Sequence, residues 1–540
     1  MRKYAAMGLT AVLAAASFPA AVLADEADVK SVRIGAPYDP VTMDYAELNV
    51  DPATYIDTLI SDTLIRSKQG EYIGGAAESW ETSEDGKTWT FKLKEGLTYS
   101  DGETPITSED FVYAAKRLMD PEAGHYNAES GYILENGEEY YAGECEWDEV
   151  GIKAVDDLTI EYTFKNPQYE STFTSTSLFA PLEESFVDSL GTEYGSSADK
   201  ILTNGPFIVS DWVSDSTMTL VKNENYWDGE VPLDKVTLKC VDDQTTRSMA
   251  LQTGEIDIAY NLKTENLVEF EGNDNYDIQE LQSLRSTYAF MNQNEDHALS
   301  DKALRQALLR GLDKETYCNT LLEGGATAGK APVPPTLDFG FDDLKDENSY
   351  DPDSAKKILD EAGYKDVDGD GFVETPDGDP LVLDFVIYTS RAELGVYAQA
   401  AQASLKEIGI NVNLNTVSYE TLLDMRDSGQ YDLLIWNVLV ANTGDPENYL
   451  RENWYSSSAN NTAGYNNPEV DKLLDELAQT FDEDKRKDLI IDIQQDIMDD
   501  AATVFFGYET TYLFSNKKVT GVKMYPMDYY WLTKDITLAE

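Results

Sequence analysis

The chain has 540 residues, 42% of them hydrophobic, which is enough for more than one core, and 41 basic against 101 acidic residues give a formal charge of −60. So negative a protein is repelled by phosphate backbones and anionic headgroups, which weighs against nucleic acid and membrane surfaces as partners. With two histidines, no His-Glu-x-x-His and no Gly-x-Ser-x-Gly, the parts for metalloprotease and serine-esterase chemistry are missing.

Residues 1–24 read as a secretory signal. Arg2 and Lys3 precede an apolar stretch from Ala5 to Ala16, and Val22-Leu23-Ala24 supplies small residues for cleavage before Asp25. Thr10, Ser17 and Pro19 break the run, which is shorter than the roughly 20 apolar residues a membrane span needs. The expected location is therefore extracytoplasmic. The first cysteine is Cys145, so no lipid-carrying cysteine stands at the cleavage point. Cys145, Cys240 and Cys318 lack zinc-site spacing and leave open one disulfide with a free thiol, or none.

After the signal, Val32 to Gly35 predicts a strand, and Tyr55 to Ile65 carries apolar residues at helical spacing. Trp89, Phe91 and Leu93 alternate with Thr88, Thr90 and Lys92 between Asp-Gly and Glu-Gly turns, and Ile160, Tyr162 and Phe164 repeat the pattern. Residues 73–199 thus read as a small α+β unit. Strands dominate from Thr203 to Asp257, with Met218–Leu220 and Val236–Cys240 the clearest, before a helix at Thr245–Leu251.

Ser300-Asp301 caps a helix striped by Leu304, Ala307, Leu308 and Leu312, and Asp351-Pro352 opens another that Gly363 ends. From 381 the order strand, helix, strand, helix, strand, ending at 437, predicts parallel crossovers. Asn467-Pro468 starts a further helix, Leu489 to Ile497 stripe the next, and Tyr508 onward returns to strand.

Seven segments carry a resemblance: AAESWETSEDGKTWTFKLK (76–94), YSDGETPITSEDFVYAA (99–115), TNGPFIVSDW (203–212), NYWDG (225–229), LQTGEIDI (251–258), LRQALLRGLD (304–313) and YDPDSAKKILDEAGY (350–364). Together, in this order, they resemble the peptide and nickel binding family of ABC-importer solute receptors. The resemblance implies a mixed α/β, type II periplasmic-binding-protein fold of two hinged lobes with an extra small domain in the first. The expected division is lobe I over 25–72, 200–290 and 505–540, its extra domain over 73–199, and lobe II over 291–504. It also implies an oligopeptide captured in the interlobe cleft, no catalysis, no required cofactor, ABC permease and ATPase partners, and a monomer.

In the family's peptide binders the ligand lies extended along cleft strands. The segment LIWNVLVANTGDPENYL (434–450) resembles the stretch that lines the cleft and offers an aspartate to the peptide's amino terminus; Asn442 stands in that place, with Asp445 three residues on. Asn442 brings no charge, and Asp445 either compensates or caps the Asp445-Pro446 turn. By the same resemblance Arg426, Tyr419 and Tyr126 are expected near ligand. Trp436 either lines the cleft or belongs to the core.

Asp366, Asp368, Asp370, Phe372, Glu374 and Asp377 fall at positions 1, 3, 5, 7, 9 and 12 of a calcium loop, with Gly371 at position 6. The spacing predicts a structural calcium away from the cleft. The competing reading is an exposed Asp-Gly turn, since position 12 is Asp where a bidentate Glu is usual. Among rival functions, a glycosidase pair hides easily among so many acids. An oligosaccharide ligand suits Asn442 and the abundant aromatics, and nickel lacks a histidine cluster.

Overall fold

Two long strands, Tyr276–Met291 and Thr503–Asn516, tie the halves of the molecule together. The computed structural model describes residues 29–539 apart from 38, 49–50, 69–70, 389–390, 442–443 and 526–531, so the expected signal segment lies outside the described residues. The two strands pair antiparallel over most of their length and form the middle of an eleven-stranded sheet. On one side follow Ile258–Leu262, Ser31–Ala36, Lys235–Cys240, Thr217–Lys222 and Phe207–Val213. On the other follow Leu433–Leu439, Val382–Tyr388 and Asn411–Val417.

The register between the long strands shifts between Gln282 and Ser286. Three residues of the first strand stand there against one of the second; such an irregularity bends and twists a strand pair, and this one separates two cores. Before it Ile278 faces Phe514, which packs with Leu251, Ile256 and Phe270. After it Tyr288 faces Phe505, inside the core built on Phe385, Leu434 and Trp454. The molecule is accordingly two-lobed, and the crossing falls inside the strands rather than between elements.

Lobe II follows the predicted crossovers. Val382–Tyr388 pairs parallel with both Asn411–Val417 and Leu433–Leu439. Between them the helix Ala392–Glu407 buries Leu394, Tyr397, Ala398, Ala401 and Leu405, all on one face. Asp301 accepts from the Ala303 N–H and Asp351 from the Ser354 N–H, the caps that the sequence offers.

In lobe I the first helix runs Asp51–Ile60, ending earlier than the periodicity predicts. Its stop is set from far away in sequence. The Gly205 N–H donates to the Ile60 carbonyl at 2.8 Å, and the Asn204 side chain accepts from the Asp62 N–H and donates to the Asp62 carbonyl, leaving Ile65 to open a strand. A Cβ at Gly205 would stand 2.2 Å from the Ile60 carbonyl carbon, so only glycine fits. Tyr226 donates to Asp62, and Arg66 lies between Asp62 and Asp228. The TNGPF and NYWDG segments therefore hold the fold and do not line the cleft described below.

The small unit carries a four-stranded antiparallel sheet, Ala77–Thr82, Thr88–Leu93, Thr159–Thr163 and Ile152–Asp156 in spatial order. Trp89, Phe91 and Tyr162 close on Phe173, whose ring centre is 4.6 Å from that of Phe91. Cys145, Cys240 and Cys318 all carry free thiols. Among the described residues no helix is long and apolar enough to cross a membrane.

Candidate functional site

A cavity of about 680 Å³ opens between the lobes, within the roughly 300–1,000 Å³ usual for small-ligand sites. Its lobe I wall is the loop and short helix through Thr172, Thr174, Ser175, Thr176 and Ser177, backed by Asp57 on the first helix. Its lobe II wall is the end of the Leu433–Leu439 strand and the helix Glu447–Trp454.

The strand in that wall is paired along one edge only. Leu433 to Leu439 all face residues of Tyr276–Met291, whereas on the other edge the parallel pairing with Val382–Tyr388 covers only Leu433 and Leu434. From Ile435 to Leu439 no strand among the described residues takes that edge, and Trp436, Val438 and Leu439 line the cavity. An exposed edge is a template for an extended chain, because its free N–H and C=O groups pair with any backbone laid beside them.

The expected site residues distribute as follows. Asn442 lies outside the described residues. Asp445 lines the cavity but is not free: one oxygen accepts from the Glu447 N–H at 2.9 Å, and the other meets Arg486 at 2.7 Å. Of the two readings, the turn cap is the one this contact supports, with an ion pair added. Trp436 is half-buried and lines the cavity, its ring 6.1 Å from that of Tyr419, which in turn packs against Tyr388 at 5.4 Å. Arg426 also lines the cavity, with its guanidinium 5.2 Å from the Trp436 ring centre and an ion pair to Asp427 at 2.8 Å.

Tyr126 and Tyr419 flank the cavity without lining it. Both are exposed, at 65% and 45%. Burial pushes the Tyr419 phenol up, Arg426 opposes that, and Tyr126 on the small unit of lobe I adds to it.

A second contact joins the lobes at the rim. The Tyr169 hydroxyl lies 3.1 Å and 3.3 Å from the Thr480 and Phe481 carbonyls, and Arg486 stands over its ring at 5.0 Å. Gln479 bonds both Lys87 and Asn166, and Phe481 packs into the small unit's core against Gly86.

The calcium loop is assembled only in part. Asp366, Asp368 and Asp370 bring carboxylate oxygens within 4.8 Å of one another. Glu374 and Asp377 are not in that group. Glu374 is buried and its Oε2 accepts from the Val367 N–H at 2.8 Å, while a tight turn over 375–379 carries Asp377 away. Phe372 is bound through its own N–H to Asp370.

Sequence reading missed the lobe I wall, although the hydroxyl-rich run Ser171 to Ser177 is a visible signal for it. It also missed Asp57, one of two acids on a helix of ordinary appearance.

The model for bacterial extracellular solute-binding proteins, family 5 (middle region), matches residues 71–461. The chain belongs to that family. Its members are binding proteins that work outside the cytoplasm. The chain is 30% identical over 469 residues to the periplasmic oligopeptide-binding protein OppA of Salmonella typhimurium, covering 85% of this chain and 82% of that one. It is 29% identical over 454 residues to the oligopeptide-binding protein OppA of Bacillus subtilis, covering 82% and 81%. Among solved structures, the ABC transporter substrate-binding protein CtaP of Listeria monocytogenes matches with a TM-score of 0.79 at 24% identity, covering 95% of this chain and all of the other. The substrate-binding domain of an oligopeptide ABC transporter from Bacillus anthracis matches at 0.75 and 25%, covering 95% and 99%. The type II two-lobed family fold implied by the sequence is the fold observed.

Proposed function

We propose that this family 5 protein captures oligopeptides in the interlobe cleft and delivers them to the membrane permease of an ABC importer, acting as a monomer outside the cytoplasm and catalysing nothing. The observation that carries the reading is the unpaired edge from Ile435 to Leu439 lining a cavity of peptide dimensions. An edge of this kind gives affinity through main-chain bonds that ignore side-chain identity. The oligopeptide-binding names of the relatives point the same way.

The test is thermal unfolding of residues 25–540 with mixed free peptides, amino-blocked peptides and oligosaccharides. A ligand at 100 times its Kd stabilises the folded state by about 2.7 kcal/mol, so a raised Tm with peptides alone supports the reading. A rise with oligosaccharides alone refutes the ligand class and leaves the receptor role standing.

The three converging carboxylates of Asp366, Asp368 and Asp370 support a second proposal, a calcium ion in a structural role at that surface loop. Glu374 is turned inward and contributes no ligand in this arrangement.

A further inference from the structure

The charges lining the cleft do not balance. Among the described residues, four acidic or basic side chains line the cavity: Asp57, Arg426, Asp445 and Glu452. Arg426 is paired with Asp427, and Asp445 with Arg486. Asp57 and Glu452 remain, one on each wall.

Asp57 is the more informative of the two. It is 1% exposed. Its Oδ2 accepts from the Thr176 hydroxyl at 3.0 Å, and its buried Oδ1 takes no hydrogen bond. A buried carboxylate oxygen without a donor is costly, and one that lines a cleft is a group whose donor arrives with the ligand. The neighbouring Thr174, Ser175 and Ser177 bring hydroxyls but no charge. On the opposite wall Glu452 lines the cleft; burial pushes its carboxyl up, and the like charge of Glu129 on the small unit adds to that. Burial pushes the Asp57 carboxyl well above the usual carboxylate range, so its charged form is costly until a cation arrives beside it; a neutral or anionic ligand supplies no such partner.

Building on the oligopeptide reading, we infer that the ligand carries a positive charge and that Asp57, on the first helix of lobe I, is the residue that takes its ammonium or guanidinium, with Glu452 facing it from lobe II. This makes Asp57 a specificity-determining residue. It also offers a place for the charge that Asp445, occupied by Arg486, does not supply. The ammonium comes either from a lysine side chain or from a free amino terminus, and the experiment separates them.

Calorimetric titration of residues 25–540 would use Ala-Lys-Ala and Ala-Gln-Ala, each with a free and an acetylated amino terminus, and spermidine as a cation that is not a peptide. If the side chain is the source, acetyl-Ala-Lys-Ala binds at least about tenfold more tightly than acetyl-Ala-Gln-Ala, the size of a charge-assisted bond, and Asp57→Asn removes the difference. If the amino terminus is the source, acetylating Ala-Gln-Ala weakens it about tenfold, and Asp57→Asn removes that difference instead. Equal affinity for all four peptides, unchanged by Asp57→Asn, would overturn the inference while leaving the peptide reading intact. Binding of spermidine alone, lost in Asp57→Asn, would overturn the peptide reading and keep the inference; no binding by either class would sink both. Should Asp57→Asn not fold, Glu452→Gln decides: whichever preference wild type shows, for lysine over glutamine or for the free over the acetylated amino terminus, falls in that variant and with added salt, or the inference fails.

Discussion

Asp445 lies 2.7 Å from the guanidinium of Arg486, which also reaches Glu447 at 2.9 Å and covers the ring of Tyr169. Arg486 is 4% exposed, and it bonds the Leu477 and Thr480 carbonyls as well. One cation therefore fixes the cleft turn, the end of a helix and the rim contact at once.

Removing that cation leaves the Asp445 and Glu447 carboxylates with only the Glu447 N–H on the one and a 4.0 Å contact from Arg451 on the other. Arg486→Met should lower the unfolding free energy by about 3–5 kcal/mol, the usual cost of breaking a buried pair. The double variant Arg486→Met with Asp445→Asn should recover part of it, which denaturant melts of the four proteins would show.

Asp257 gives the pH dependence. Burial pushes its carboxyl up, but the Arg33 fork, Lys518 and the Arg33 N–H outweigh burial and hold it below its ordinary value. A carboxyl lowered by folding stabilises above its unfolded pKa of about 4, and that contribution is lost as pH falls through the folded value. Asp257→Asn should cost about 2 kcal/mol at pH 7, as for hydrogen bonds to charged groups. The gap to wild type should narrow as pH falls below about 4, and a series of melts from neutral pH into the acid range follows it.

The rim contact should act on release. Tyr169→Phe removes the hydroxyl that bonds the Thr480 and Phe481 carbonyls, worth about 1 kcal/mol, or roughly fivefold in an equilibrium. Since it joins the lobes and does not line the cavity, the loss should appear as a faster peptide off-rate with the on-rate nearly unchanged in stopped-flow fluorescence. An unchanged off-rate would assign the contact to folding alone.

For the surface loop, calcium at millimolar concentration should raise the Tm of wild type, and Asp366→Asn with Asp368→Asn should abolish the rise. No calcium-dependent shift in wild type would leave these residues as an acidic turn.

The lobe II crossovers were legible because helix and strand periods alternate cleanly there, and the helices before and after them were legible because each carries its own cap, at Asp301, Asp351 or Asn467. The first helix was read too long because its stop belongs to Asn204 and Gly205, nearly 150 positions away, which no local pattern reports. The cleft strand was legible through resemblance. Its free edge was not, since pairing is a property of neighbours. Asp57 shows the same limit from the other side: a carboxylate is informative only when its surroundings withhold a donor, and a sequence does not print surroundings.

The ribbon of Tyr276–Met291 and Thr503–Asn516 also governs when the protein can become itself. The second strand stands between Ile258–Leu262 and Tyr276–Met291, so it is a central strand of one lobe and of the other. Until residues 503–516 have been synthesised, the sheet lacks its middle, and the two lobes lack Phe505 and Phe514 from their cores. A polypeptide arranged this way cannot complete either core from its first 500 residues alone.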